Sequence, residues 1–199
     1  MLAENAAAIL GAPIELHFLS SEKLPDGAKV LPLLLGEGWH ARNDIVRLGE
    51  ASACSMLPPL SSHAVPIACM AGDLAKEALA GKAHAGGSAI FAVYHHKGFE
   101  PVAAALRGLS ARFENIEVIE IYGDPDISRT LQDWQQREFD SIVVQPLALF
   151  EGRTMTHVRK VVAESSVAAS VGPVLSSHAA FAGFIADCFR DGGADSDAA

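Results

Sequence analysis

The residues best suited to chemistry in this chain are its histidines. There are eight of them, and the three cysteines include no CxxC spacing of the kind that builds a zinc site. A neutral imidazole is the commonest protein ligand for divalent transition metals and takes up a proton near pH 7. His40 lies in Gly36-Glu37-Gly38-Trp39-His40-Ala41-Arg42-Asn43-Asp44-Ile45, just after a β-rich run, and Gly36 and Gly38 would let the backbone turn sharply beside a ligand. His95 and His96 follow another apolar run, Ser88 to Tyr94. Glu37 and Asp44 are placed to orient His40 through its second ring nitrogen. His63 and His178 each follow a Ser-Ser pair at a helix start, a position that suits capping and packing, whereas His17, His84 and His157 stand in no constellation. Trp39 and Trp134 could stack on a flat ligand, although the commoner role for either is buried packing.

These histidines need elements to position them. Ser88–Tyr94, Ile116–Tyr122 and Ser141–Phe150 read as buried strands, and Glu100–Phe113, Ile127–Arg137, Met155–Glu164 and Ala179–Arg190 as helices. Asp126 or Ser128 is available to cap the second of these helices. Strand alternating with helix implies a parallel sheet with right-handed crossovers, covered on both faces. Ligands of such sheets bind beyond the carboxyl ends of the strands, which singles out the loops Tyr94–Gly98, Tyr122–Asp126 and Phe150–Thr156.

The chain also says one thing twice. Val30-Leu31-Pro32-Leu33-Leu34-Leu35-Gly36-Glu37-Gly38 returns 114 positions later as Val144-Gln145-Pro146-Leu147-Ala148-Leu149-Phe150-Glu151-Gly152. Pro59-Leu60-Ser61-Ser62-His63-Ala64 returns at a shift of 115 as Val174-Leu175-Ser176-Ser177-His178-Ala179. Two matches in one order point to a duplicated module. The expected division is a trimmed first module over 1–80, a small flexible linker over 81–87, a fuller second module over 88–190 and a frayed acidic tail over 191–199. In the first module, 2–11 reads as a helix and Ile14–Leu19 and Lys29–Leu35 as strands. The module begins too late for a counterpart of Ser88–Gly98, and the few residues between Leu19 and Ala28 leave no room for a counterpart of the helix Ile127–Arg137.

Bulk properties narrow the function. A formal charge of −9 disfavours nucleic acid, whose phosphates need clustered Lys and Arg. Mean hydropathy is +0.23, but no apolar run reaches the ~18 residues of a membrane span, and no basic region precedes an apolar stretch at the N-terminus. The odd cysteines read as small core residues in a reducing compartment, so the expectation is a soluble cytoplasmic protein. GxGxxG after a strand, GxxxxGK[ST] and GxSxG are all missing, which leaves dinucleotide, P-loop and serine-hydrolase chemistry without support.

Pro32-Leu33-Leu34-Leu35-Gly36-Glu37-Gly38-Trp39-His40-Ala41-Arg42-Asn43-Asp44-Ile45 resembles the "PLFL-x-x-G-x-H-V-R-x-D-I" signature of the sirohydrochlorin chelatases, the small CbiX-like class II cobalt and iron chelatases of cobalamin and sirohaem synthesis. Val144–Gly152 is similar to the same strand, Pro173–Ala179 to the family's glycine-proline-histidine segment, and Ala89–Val93 with Tyr94-His95-His96-Lys97-Gly98 to its strand and "G-H-G-S" loop. The resemblance implies an α/β fold of two flavodoxin-like, chelatase-like half-modules related by a pseudo-twofold axis around a cleft that holds a tetrapyrrole. It implies that His40 and His95, with His96 beside it, bind the divalent metal and help to remove the pyrrole protons. Gly38, Trp39, Tyr94 and Gly152 would contact the macrocycle. The metal, Co²⁺ or Fe²⁺ with Ni²⁺ a further choice, would be a substrate, and no organic cofactor is implied. The chain departs from the pattern in having Thr154 where the second module's motif histidine would fall and Tyr-His-His-Lys in place of Gly-His-Gly-Ser.

Three readings follow. The first is a metal-inserting enzyme; the second is a non-catalytic descendant that binds a tetrapyrrole or a metal, or serves as an assembly subunit. The third is an unrelated doubly wound protein with another small ligand. Nucleic acid and membrane are not expected partners, while the shortened first module leaves a surface through which two copies could form a homodimer.

Overall fold

The computed structural model describes residues 1–36, 38–80, 88–92, 99–110, 116–119, 124–137 and 142–192. Glu37, the linker 81–87, Tyr94, His95, His96 and the tail from 193 lie outside them. The chain divides into two compact units, Met1–His63 with Ala179–Ala199, and Ala64–His178.

The second unit contains a four-stranded parallel sheet of β3 (Ser88–Ala92), β4 (Ile116–Ile119), β5 (Ile142–Pro146) and β6 (Ala169–Val171), ordered β4-β3-β5-β6. Counted within the unit this is the 2-1-3-4 order of flavodoxin-like sheets, with the switch point between β3 and β5. Every residue of β5 is buried, as the apolar run Ile142-Val143-Val144 requires of a strand covered on both faces. Ile142 and Val144 point into a cluster with Ile127, Leu131 and Trp134 of α6 (Asp124–Gln136) and Val158, Val161 and Val162 of α7 (Arg153–Glu164). Val143 alternates to the opposite face, and α4 (Ala64–Ala80) packs both on β5 and on α5 (Glu100–Ser110). Burying each of these aliphatic side chains contributes roughly 1.5–3 kcal/mol, so this double cover is where the unit's stability resides.

The first unit is much thinner. Its sheet is two short parallel strands, β1 (Lys29–Val30) and β2 (Ser55–Met56). α1 (Leu2–Leu10) packs against α8 (Phe181–Asp191), and Gly11 ends α1 with a left-handed φ of 76° that only glycine takes at little cost. α2 (Trp39–Arg42) and α3 (Asp44–Ala51) follow β1.

The two ladders share a register. Lys29 pairs with Ser55 and Val30 with Met56; Val143 pairs with Ser170 and Val144 with Val171. Leu57 N–H then donates to Val30 O, and Gly172 N–H to Val144 O, both at 2.8 Å. These are equivalent positions at the sequence shifts of 114 and 115.

Several expectations from the sequence need correcting. The expected strand Ile14–Leu19 belongs to no ladder and ends in a turn at Leu19, and Lys29–Leu35 forms a strand over only its first two residues. The reason lies in the second unit, where β4, the counterpart of Ile14–Leu19, takes its ladder from β3 alone. Among the described residues the first unit has no counterpart of β3. α6 starts at Asp124, so Asp126 lies in its first turn and Ser128 beyond that turn, and neither caps it. β2 and β6 were not expected at all. The packing boundary also differs from the boundary of the repeat. α4 follows the first sequence copy but covers β5, and α8 follows the second copy but packs on α1.

Candidate functional site

β1 and the turn after it deliver Gly38, Trp39 and His40 to the start of α2. Leu60 and Ser61 N–H groups donate to Pro32 O and Leu34 O, which fixes this turn against the segment that follows β2. Gly38 has φ −73° and ψ −163°, an extended conformation open to any residue, so the expected conformational need for glycine is not there. Arg42 and Asn43 N–H groups donate to Gly38 O and Trp39 O, closing one helical turn. Asn43 Nδ2 donates to Trp39 O at 2.8 Å and tightens it.

That turn brings His40 and Asp44 together. His40 Nδ1 lies 2.6 Å from Asp44 Oδ2, the spacing expected of residues four apart on adjoining helical turns. Asp44 is only 19% exposed in its side chain, while His40 is 65% exposed. With its proton on Nδ1 donated to the carboxylate, the imidazole presents the Nε2 lone pair to solvent. This is the arrangement by which a carboxylate fixes the tautomer of a metal-binding or proton-accepting histidine. Trp39 stands edge-on to the imidazole, with ring centroids 5.6 Å apart and planes at 86°. It is 66% exposed, so buried packing is not its role, although it is that of Trp134, 1% exposed in the second unit's core. Further along α3, Arg47 donates through Nη2 to Leu19 O at 2.9 Å and ties down the chain that precedes β1.

The corresponding turn of the second unit carries no imidazole. Gly152 precedes α7, and a Cβ built on it would meet nothing within 4 Å. Thr154 occupies the position equivalent to His40 and Val158 that equivalent to Asp44. Arg159 instead clamps Glu151 with two hydrogen bonds of 2.6 and 2.7 Å, and this guanidinium holds the Glu151 carboxyl below its ordinary value.

His63 and His178 behave as packing residues. The His63 ring meets Phe184 edge-on at 5.6 Å, and His178 Nε2 lies 3.7 Å from Asp73 Oδ2. His63 directly precedes α4, as expected of a residue at a helix start, whereas His178 lies ahead of α8, whose N-cap is Ala180; each follows a short 3₁₀ turn, Leu60–Ser62 or Leu175–Ser177. Among the described residues no three His, Cys, Asp or Glu side chains gather into a group that could hold a metal ion. The candidate ligands His95 and His96, the candidate substrate contact Tyr94 and the candidate orienting residue Glu37 lie outside the described residues.

One residue that sequence reasoning passed over is Gln145. It is fully buried at the end of β5, and its Nε2 donates to Pro173 O at 2.8 Å, joining the carboxyl ends of β5 and β6. Its Oε1 has no hydrogen-bond partner among the described residues and lies against Gly172, where an added Cβ would come within 1.9 Å of it. The signal was a lone amide inside an otherwise apolar strand.

No helix of the described residues is long and apolar enough to cross a membrane. No protein-family model matches the chain, and no curated protein matches its sequence. Solved structures do match. The chain is similar to CbiX, described as the terminal enzyme for biosynthesis of siroheme in denitrifying bacteria, at 18% identity and a TM-score of 0.74, over 96% of this chain and 88% of that one. It is similar to SirB from Bacillus subtilis, solved with Fe³⁺, at 17% identity and a TM-score of 0.65, over 98% and 91%. A third is DR2241 from Deinococcus radiodurans, a multi-domain protein with structural similarity to chelatases, at 18% identity and a TM-score of 0.58, over 83% of this chain and 41% of that one. The fold of this chain is the α/β chelatase fold.

Proposed function

We infer that this protein inserts a divalent metal ion, Co²⁺ or Fe²⁺, into a sirohydrochlorin-type tetrapyrrole. The observation that supports the reading is the exposed His40 imidazole backed by Asp44 at 2.6 Å, on the helical turn that follows β1 in a chelatase fold. Insertion exchanges two pyrrole N–H protons for one M²⁺, so the macrocycle gains the metal and two protons leave. A group beside the macrocycle must therefore hold the ion before transfer or receive a proton during it. His40 Nε2 does either, and the Asp44 carboxylate stabilises the imidazolium that results.

Trp39, exposed beside that ring, offers a flat apolar surface to the macrocycle; Gly38, Tyr94 and Gly152 are the other residues we assign to substrate contact. His95 and His96 are assigned as further metal ligands and His95 as the second catalytic histidine, with Glu37 helping Asp44 to orient His40. The metal is consumed as substrate, Ni²⁺ being the third candidate, and no organic cofactor takes part. The shared register of the two ladders supports a duplicated half-module as the origin of the chain. The setting we assign is the cytoplasm.

Thr154 in place of a second motif histidine favours one other reading, a homologue that binds the tetrapyrrole or a metal without inserting it, or that serves as a subunit of an assembly. An anaerobic absorbance time course with sirohydrochlorin and Co²⁺ or Fe²⁺, against a protein-free control, separates the two. Accelerated appearance of the metallated spectrum supports the chelatase. A shifted free-base spectrum without acceleration supports the binder, and no spectral change excludes both the chelatase and the tetrapyrrole binder.

A further inference from the structure

Between α1 and β1 the chain passes through Ile14-Glu15-Leu16-His17-Phe18, which has strand composition but belongs to no helix or ladder. The main chain of residues 14–17 makes no hydrogen bond among the described residues. Glu15 Oε2 lies 3.4 Å from His17 Nε2, which puts these two on one face and, by the alternation of extended chain, Ile14, Leu16 and Phe18 on the other. Two of the three apolar side chains are open to solvent, Leu16 at 62% and Phe18 at 80% exposure, while Ile14 is half-buried. An unpaired, apolar, β-rich segment with free backbone groups is a template for strand addition.

The five residues are self-complementary in one register only. If two copies lie antiparallel with Leu16 on the twofold axis, Leu16 faces Leu16, Ile14 of each copy faces Phe18 of the other, and Glu15 of each faces His17 of the other. Centring on Glu15 sets two carboxylates against each other, and centring on His17 sets two imidazoles together. A twofold placed between residues brings apolar side chains opposite charged ones. Parallel pairing puts every residue opposite its own kind. Apolar and opposite-charge cross-strand pairs stabilise a ladder, and like charges directly opposite destabilise it.

We propose that Ile14–Phe18 is a docking strand for a second copy of this chain and forms a two-stranded antiparallel ladder centred on Leu16. Five residues a side is a small interface, so the dimer is weak and depends on concentration. The proposal is independent of the chemistry assigned to His40.

Sedimentation equilibrium of the whole protein from about 1 to about 200 μM tests it, because association follows mass action. The average mass rises from one chain toward two. Leu16→Lys, which sets two ammonium groups on the axis, holds the mass at one chain throughout, and Glu15→Lys does the same. The exchange Glu15→His with His17→Glu rebuilds the same pairs and restores the rise. Leu16→Cys forms a disulfide-linked dimer on mild oxidation where the wild type does not, because an antiparallel pair sets the two Cα atoms about 5 Å apart. A single-chain mass at every concentration overturns the proposal. So does a dimer indifferent to Leu16→Lys, or a charge exchange that fails to restore what Glu15→Lys removes. All these side chains are on the surface, so none of the variants threatens the fold.

Discussion

His40 and Asp44 are held 2.6 Å apart across the junction of two short helices, with the carboxylate mostly buried and the imidazole mostly free. The pair has a direction. Asp44 accepts the hydrogen bond from Nδ1–H, and whatever His40 does next, it does through Nε2. Asp44→Asn keeps an acceptor oxygen and removes the charge, and the expected result is a loss of about 10–100-fold in Co²⁺ affinity and insertion rate, the usual cost of losing a partner behind a ligating histidine. Binding titrations and the insertion time course, each run beside a far-UV spectrum showing the fold intact, measure it. An Asp44→Asn protein with wild-type affinity and rate removes Asp44 from the mechanism.

His40→Ala separates function from folding. Because the side chain is largely exposed, the expected change in stability is within about 0.5 kcal/mol, while insertion falls to the protein-free rate. Thermal melts and the absorbance assay together decide the matter, and a variant that still inserts metal excludes this histidine.

Trp39 supplies its own reporter. The chain has two tryptophans, and Trp134 is buried in the second unit. Sirohydrochlorin or Co²⁺ bound beside His40 is expected to quench the Trp39 emission, and Trp39→Phe to abolish that quenching while leaving the Trp134 signal. Quenching that survives in Trp39→Phe places the ligand elsewhere.

How much of this could be read in the sequence depended on burial. β5 and the helices around it were legible because the uninterrupted run Ile142-Val143-Val144 and the spaced valines of α7 leave few alternatives once both faces must be covered. The His40 turn was legible because its glycines, tryptophan, histidine and aspartate are contiguous. β2 and β6 were missed because two or three residues are too few to show a period. The strand expected over Ile14–Leu19 failed for a different reason: its local pattern was right, but a strand needs a neighbour, and pairing is not a local property. The exchange of α4 and α8 between the units has no local signature either, since an apolar helix face does not specify which sheet it will cover.

Gly172 and Gln145 should be coupled. Gly172→Ala drives a methyl group into the Gln145 side chain, with an expected cost of about 1–3 kcal/mol, the range for overpacking a filled site. In a Gln145→Ala background the same change should cost much less. Urea denaturation of the four proteins completes the cycle, and strictly additive effects show that the contact does not matter.

Cys188 gives a pH dependence whose sign is fixed. Burial, with Asp191 and Asp187 nearby, pushes its thiol from an ordinary value of 9.0 up to about 11. The unfolded chain therefore ionises first as pH rises, so the thiol's contribution is whole below pH 9 and is lost progressively toward pH 11. Urea midpoints between pH 8 and about 10.5 should fall, and Cys188→Ala should flatten that fall even though it lowers stability throughout. At pH 8 alkylation of Cys188 should run about a hundred-fold slower than that of an unperturbed thiol, the factor set by two pH units.

The placement of α8 also dictates an order of assembly during synthesis. Residues 64–178 form a contiguous unit, complete once His178 has left the ribosome. The first unit is begun earlier and finished later, since α1 waits for a helix encoded after the whole of the second unit. The nascent N-terminal segment therefore stays without its cover until α8 emerges, and the unit begun first is the one that folds last.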